Sequence, residues 1–161
     1  MALVAANLES ALLSVISGFP ATAELAATGL ANAYHTYAAT GQSCAGLVPT
    51  VVNLVGLQDA LKTTLEDDSQ DASAAAEAWK DGLVMYWTGG LFGPTGTVLL
   101  PISGAPAFEG ALESFFSTNA EAEPAVPFAT AAGSLAGILD TFTRTVQVTD
   151  AASPCGPLPI T

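Results

Sequence analysis

His35 is the side chain best suited to catalysis or metal binding, and it is the only histidine in the sequence. A catalytic triad or a zinc site would combine such an imidazole with a serine, a cysteine or a carboxylate. None of these lies at a supporting position nearby in the sequence, where His35 stands between Tyr34 and Tyr37 on a predicted helix. We therefore interpret His35 as a surface or interface histidine.

Two glycine-containing loops could also carry chemistry. Residues 41–46 read Gly-Gln-Ser-Cys-Ala-Gly, which does not meet the Gly-x-Ser-x-Gly spacing of a nucleophile elbow and follows a predicted helix rather than a strand. Residues 89–96 are glycine-rich, but they contain no lysine and lack the glycine spacing of a phosphate-binding loop. We interpret both loops as turns.

Carboxylates cluster at residues 66–71, and Glu109 and Glu113 are four residues apart. Carboxylate oxygens suit Ca²⁺ or Mg²⁺, but the cluster lacks the glycine and the terminal glutamate of an EF-hand loop. A catalytic pair of carboxylates needs a cleft that perturbs its pKa values, whereas a four-residue spacing is typical of a solvated helix face. We therefore expect a helix-capping turn at 66–71, no catalytic residue, no metal and no cofactor. The sequence predicts a protein that is not an enzyme.

Charge is scarce and almost entirely negative. Of 161 residues only 3 are Lys or Arg and 15 are Asp or Glu, which gives a formal charge of −12. A soluble domain usually has about a quarter of its residues charged. The scattered cations, Lys62, Lys80 and Arg144, exclude direct binding to nucleic acid, and an anionic membrane would repel the chain. We expect that other protein subunits cover part of its surface.

Cysteine content and the N-terminal residues bear on location. Residues 1–13 lack the basic region of a signal peptide and contain Glu9, so we expect no secretion signal. Cys44 and Cys155 could pair, but without such a signal we expect two free thiols. No stretch of about 20 mostly apolar residues predicts a membrane span.

Apolar residues recur at helical spacing over most of the sequence. The pattern predicts a mainly α (α+β) fold, a bundle of five to six helices with a small β element near 96–101 and 141–149. Thr50 has the side chain of a helix N-cap, and we expect it to begin the third helix. The predicted helices cover residues 2–17, 21–39, 51–66, 72–87, a segment opened by Pro106, and 128–140.

We expect a single helical domain at 1–150, followed by an extended arm at 151–161. The last residues contain three prolines and no charge, so they cannot form a helix and are too apolar for a simple solvated end. An arm that lies on a partner is the functional interpretation, and a frayed terminus is the alternative.

Aromatic and apolar side chains outside the predicted core are candidates for partner contact. Trp and Tyr are enriched at protein interfaces. Trp79 fits ordinary core packing better, whereas Trp87 lies beside the glycine-rich loop and fits an interface. The predicted interface residues are Trp87, Leu91, Phe92, Val146, Val148, Pro154, Pro157, Leu158, Pro159 and Ile160.

Three features together resemble small virion structural proteins of tailed bacteriophages, such as neck, tail-terminator, baseplate or capsid-decoration subunits. They are the helical hairpins at 2–40 and 105–140, the loop-to-strand segment at 87–98, and the proline-rich arm from Ser153. The resemblance implies a ring or shell of identical subunits and other virion proteins, with no cofactor and no active site. It also implies a location in the virion after assembly in the host cytoplasm. It transfers no functional residue to this sequence.

The alternative is a small helical carrier protein that binds an apolar ligand. Its pocket would be lined by residues such as Trp79, Phe108, Phe115 and Phe116. Particle mass would distinguish the two, because a structural subunit forms multimers or depends on partners, whereas a carrier is monomeric.

Overall fold

The computed structural model describes residues 3–67, 69–121, 126–152 and 157–161, with the side chain of Glu121 left out. Six helices confirm the predicted mainly α fold. The predicted bounds of the fourth helix are confirmed in full, and the others shift by a few residues. The helices are α1 (Ala5–Ser17), α2 (Ala23–Ala38), α3 (Leu54–Glu66), α4 (Ala72–Trp87), α5 (Ala105–Glu121) and α6 (Phe128–Thr143).

The six helices form a closed ring around one apolar core. Each helix packs against its neighbours in the sequence, and α6 closes the ring by packing against α1. The ion pair between Glu24 near the start of α2 and Lys62 near the end of α3 shows that these two helices are antiparallel. Small residues allow close packing: a Cβ on Gly82 of α4 would lie 2.8 Å from the Cβ of Ala60 on α3.

Five short strands form one antiparallel sheet in the order β1-β2-β3-β4-β5. The two predicted β segments pair with each other, with Val98 of β3 opposite Val148 of β4. The other strands are only two or three residues long, too short for alternation to be recognised in the sequence. The strands are β1 (Pro49–Val51), β2 (Leu91–Phe92), β3 (Gly96–Val98), β4 (Gln147–Asp150) and β5 (Leu158–Pro159).

All five strands follow α2, α4 or α6, so the sheet covers one end of the ring. We call it the sheet end, which comprises residues 38–54, 85–105, 143–152 and 157–161. At the opposite end, α1, α3 and α5 finish and the three even-numbered helices begin. We call this the acidic end, because it carries Glu24, Glu66, Asp67 and Asp71.

Two predicted boundaries are wrong. Thr50 does not cap the third helix, because it lies in β1, and Asn53 caps α3 by accepting the N–H of Gly56 at 2.9 Å. The predicted strand at 141–149 begins six residues late, because α6 continues to Thr143, where Phe142 packs in the core. The predicted capping turn at 66–71 is confirmed at Asp71, which accepts the N–H of Ala74 at 2.8 Å.

The end of the chain folds back on its own domain, which corrects the predicted arm on a partner for residues 157–161. Leu158 and Pro159 form β5 beside β4, and the N–H of Ile160 donates to the carbonyl of Val146 at 3.1 Å. Thr161 and Gln42 exchange two backbone hydrogen bonds of 3.0 Å. The backbone N–H and carbonyl groups of Ile160 and Thr161 thus find their hydrogen-bond partners within the same chain, and residues 157–161 are part of the fold. No helix among the described residues is long and apolar enough to cross a membrane.

Candidate interaction surfaces

Half of the predicted interface residues are core residues, which corrects their assignment. Burial within the chain itself leaves no more than 1% of each residue exposed, so none of them offers a surface to a partner. These five are Trp87, Phe92, Val146, Val148 and Ile160. Leu91, Pro157, Leu158 and Pro159 are exposed, and their contact with a partner stays a prediction. Pro154 lies outside the described residues, as does Cys155, so the state of the two thiols also stays a prediction.

Trp87 joins the helix ring to the sheet. Its ring stacks on Phe92 at a centroid distance of 6.0 Å and meets the edge of Tyr86 at 5.0 Å. Its Nε1–H donates to Oη of Tyr34 at 2.9 Å, and that hydroxyl also lies 2.9 Å from Oγ1 of Thr143. Burial raises the pKa of Tyr34 above its ordinary value, despite the hydrogen bonds to Thr143 and Trp87. The tyrosine is therefore a neutral structural link between α2, α4 and α6.

His35 serves the same core rather than a catalytic pair. Its Nδ1 lies 2.8 Å from Oη of Tyr86, whose own pKa is raised by burial. Ser43, in the loop once compared with a nucleophile elbow, accepts the N–H of Leu47 through Oγ at 3.2 Å and closes a turn. Within the described part of the chain, His35 and Ser43 are thus each occupied by a structural contact.

A second polar cluster joins α2, α6 and the N-terminal residues. Oη of Tyr37 donates to Oδ1 of Asp140, and Nε of Arg144 donates to Oδ2 of the same carboxylate at 2.9 Å. Arg144 also donates through Nη2 to the carbonyl of Leu3 at 3.1 Å. Burial alone would raise the pKa of Asp140, but the hydrogen bonds from Arg144 and Tyr37 outweigh it and lower that pKa. The carboxylate is therefore ionised near neutral pH and fixes the closure of the ring.

Every cation of the chain is paired with a carboxylate. Lys62 lies 3.7 Å from Glu24 and 4.0 Å from Glu66, and Lys80 lies 3.1 Å from Asp81 and 3.0 Å from Glu109. Arg144 pairs with Asp140 at 2.9 Å. The cations stabilise the fold locally and are not gathered into a basic surface.

The acidic turn between α3 and α4 behaves as a capping turn. Oδ1 of Asp67 accepts the N–H of Ser69 at 3.0 Å and its hydroxyl at 2.5 Å, and these hydrogen bonds lower the pKa of Asp67. Among the described residues, no three His, Cys, Asp or Glu side chains converge as metal ligands would.

Charge divides the molecule into two unlike ends. Of the 18 charged residues, only Arg144 and Asp150 belong to the sheet end, and their charges cancel. The formal charge of −12 therefore lies entirely in the rest of the sequence. This division was missed in the sequence because the three neutral segments are far apart in the chain and meet only in the fold.

Large apolar side chains are exposed at one corner of the sheet end. Val51 of β1 lies opposite Leu91 of β2. Two residues after Val51, the N–H of Asn53 donates to the carbonyl of Tyr86 on α4 at 2.9 Å. The Sδ of Met85, which precedes Tyr86, lies 2.8 Å from where a Cβ on Gly56 of α3 would be. Between 39% and 65% of each of these side chains is exposed. The four residues are Val51, Met85 and Leu91 of the sheet end and Val55 of α3, which lies just beyond it.

The acidic end has a smaller apolar feature. Phe19, 71% exposed, meets Phe128 edge-on at a centroid distance of 5.2 Å. Phe19 has a φ of 45°, in the left-handed region that a residue with a Cβ rarely adopts. The two rings cover each other in part, and carboxylates such as Glu24 belong to the same end.

A cleft of about 420 Å³ lies between α5 and α6, on the outside of the ring. Its lining is small or apolar and includes Gly104, Phe108, Gly137 and Ile138. A second cavity of about 350 Å³ adjoins it and is lined in part by Phe115. Trp79 lines neither cavity, because it packs edge-on against Phe116 at 5.7 Å and faces the core of the ring beside Leu61 and Leu83. The four residues predicted for a carrier pocket are therefore not gathered around one cavity.

The fold and these surfaces define a class of protein: an acidic ring of six antiparallel helices with a neutral sheet over one end. No protein-family model matches the chain, and comparison with curated proteins and with solved structures found no match.

Proposed function

We propose that this chain is a structural subunit of a tailed-phage virion, as part of the head–tail neck, the tail, the baseplate or the capsid decoration. It acts by assembling with identical subunits and with other virion proteins, and the proposal assigns it no catalytic activity. The observation that supports it best is the sheet end, which combines a net charge of zero with exposed apolar side chains on a chain that otherwise carries −12. Exposed apolar patches of this kind are typical of protein–protein contact surfaces.

The paired cations support the part of the proposal that concerns partners. Phosphate groups are bound by Lys and Arg side chains that are free to meet them. Lys62, Lys80 and Arg144 are each held by carboxylates of this chain. The acidic surface repels nucleic acid, so a subunit that borders a DNA channel lets DNA pass without binding it.

Purified particles of a phage that encodes this chain provide the test. We expect the protein to band with intact virions in a density gradient, at a constant ratio to the major capsid protein. Peptide mass spectrometry of the gradient fractions measures that ratio. A protein that is abundant in the infected cell but absent from the particle band would contradict the proposal.

The cleft between α5 and α6 favours the second candidate, a carrier of an apolar ligand. A volume of about 420 Å³ lies within the usual range of small-molecule sites. Native mass spectrometry of the purified chain distinguishes the candidates. A structural subunit is expected to give the bare mass of one chain or of a multimer, whereas a carrier gives a monomer with a lipid-sized adduct. Enlarging Gly137 to Leu, which narrows the cleft, would remove an adduct bound there.

A further inference from the structure

The cleft between α5 and α6 continues into the second cavity along the same pair of helices. The two cavities share Ala111, Ser134 and Ile138 in their linings. On the side of α5 the combined lining extends from Gly104 to Asn119, which spans about 20 Å at 1.5 Å per residue. We call this continuous groove the α5–α6 trough.

The dimensions of the trough fit an extended hydrocarbon chain better than a protein segment. The cavities of about 420 Å³ and 350 Å³, taken over that length, give an average width of about 6 to 7 Å. A helix with its side chains is about 10–12 Å across and is too thick to enter. Carbon atoms that are not bonded approach to about 4 Å, so a single alkyl chain fits. The shape therefore favours an elongated, single-chain molecule.

The walls of the trough are uncharged. Among the described residues, no charged side chain lines either cavity. Glu109 of α5 and Asp140 of α6 belong to other contacts, because Glu109 pairs with Lys80 of α4 and Asp140 accepts a hydrogen bond from Tyr37 of α2. An ionised head group would lose hydration in the trough without meeting a counter-charge. An anionic ligand would also be repelled by the charge of −12 on the chain.

The trough offers hydroxyl oxygens as hydrogen-bond acceptors. Oγ1 of Thr141 donates to the carbonyl of Gly137 at 2.8 Å, and Oγ1 of Thr145 donates to the carbonyl of Phe142 at 2.7 Å. The hydrogen of each hydroxyl is thus used within the chain, whereas its oxygen can still accept. A ligand that carries a hydroxyl group can donate to these oxygens.

We propose that the α5–α6 trough binds an uncharged single-chain lipid with a hydroxyl head group, such as a long-chain alcohol. The proposal deepens the second candidate function, the carrier of an apolar ligand, by naming the class of ligand. The hydrocarbon chain lies along the two helices over the buried ring of Phe108, which meets Phe142 at a centroid distance of 4.5 Å. The head group donates to Thr141 or Thr145.

Gly137→Leu and Gly110→Leu form a matched pair of variants for the test. Both are helical glycines at which an added Cβ would meet nothing within 4 Å. The carbonyl of each accepts a hydroxyl from one turn later, Thr141 for Gly137 and Ser114 for Gly110. Of the two, only Gly137 lines the trough. Leucine has a higher helix propensity than glycine, so we expect circular dichroism to show both variants folded.

Isothermal titration calorimetry with 1-decanol and with decanoate at pH 7.5 measures the binding. The two compounds have the same chain length, and the carboxyl group of decanoate is ionised at this pH. We expect a dissociation constant on the order of 10 µM for 1-decanol and one at least tenfold larger for decanoate. 1-Octanol is expected to bind about fifteenfold more weakly than 1-decanol, because it lacks two methylene groups. Gly137→Leu is expected to weaken the binding of 1-decanol at least tenfold and Gly110→Leu by less than twofold.

Three results would overturn the proposal: no binding of 1-decanol up to its solubility, equal or tighter binding of decanoate, or binding of 1-decanol that Gly137→Leu leaves unchanged. Binding of decanoate alone would retain the carrier and refute the uncharged class of ligand, whereas a chain that binds neither compound counts against the carrier as well. The density gradient tests the virion role independently of these results.

Discussion

Replacing Trp87 by alanine is expected to lower the free energy of unfolding by about 4 kcal/mol. The substitution removes a fully buried side chain that stacks on Phe92 and packs against Tyr86, and it leaves a cavity where the ring meets the sheet. It also deprives the buried hydroxyl of Tyr34 of the donor Nε1–H, which adds the cost of an incomplete hydrogen-bond set. Urea unfolding followed by circular dichroism measures the change.

Two variants serve as controls for this prediction. Trp87→Phe keeps much of the packing but loses the N–H, so we expect about half of the destabilisation. Leu91→Ala changes an exposed neighbour and is expected to change stability by less than about 1 kcal/mol. An unchanged free energy of unfolding for Trp87→Ala, together with a loss of self-association, would contradict this prediction. Trp87 would then be an interface residue, as the sequence analysis predicted.

Asp140→Asn is expected to destabilise the fold by about 2 kcal/mol at pH 7. The carboxylate accepts hydrogen bonds from Tyr37 on α2 and from Arg144, which in turn binds the carbonyl of Leu3. An amide oxygen carries no charge, and the amide NH2 group takes the place of one carboxylate oxygen, so that a donor faces a donor. The double variant with Arg144→Met measures the coupling between the two side chains.

The pH dependence of this effect follows from the direction of the pKa shift. The pKa of Asp140 is lower in the folded chain than its ordinary value of about 3.9, so ionised Asp140 stabilises the fold. The stabilisation is complete above the unfolded pKa and is lost as the pH falls through the folded pKa. The difference in stability between the unaltered chain and Asp140→Asn is therefore constant from pH 6 to 8 and narrows below about pH 4. A difference that stays constant down to pH 3 would show that the charge of Asp140 contributes nothing.

The helices could be predicted because local signals agree with the fold. Around α4, the capping side chain of Asp71, the alanine-rich turns and the anchors Trp79 and Leu83 all indicate the same helix, and its bounds are confirmed. At Thr50 the local signal misled, because a threonine that can cap a helix can equally lie in a strand. Thr50 lies in a strand because β1 pairs with β2, some forty residues later in the sequence. No local sequence pattern indicates that pairing.

The exposed and buried sides of the short elements could not be predicted. Phe92 and Leu91 are adjacent and both apolar, yet one is buried and the other exposed, since successive residues of a strand face opposite sides. In the proline-rich tail, Ile160 is buried, and its side chain lies against Gly41, as does that of Leu3 from the other end of the chain. This contact site forms only when the chain folds. From the sequence alone, the apolar tail therefore suggested an arm that binds a partner.

The fold shows where on the molecule the scarcity of charged residues is greatest. The sequence suggested a chain of which other subunits cover part of the surface, whereas the structure leaves carboxylates such as Glu9, Glu24 and Glu77 exposed on the helices and places few charged residues at the sheet end. The expectation of covered surface therefore applies to that end. This division is the reason that one end, rather than the whole surface, is the candidate for contact with other subunits.

Closure of the helix ring also brings the two ends of the described chain together. A Cβ on Gly41 would lie 3.3 Å from the side chain of Leu3 and 3.3 Å from that of Ile160, so the first described residue and the last but one meet at Gly41. A linker of a few residues would join them, and the chain could then be opened at the connection between α3 and α4 without separating any two packed helices. The order of the six helices along the gene is thus one of several circular permutations compatible with the same architecture.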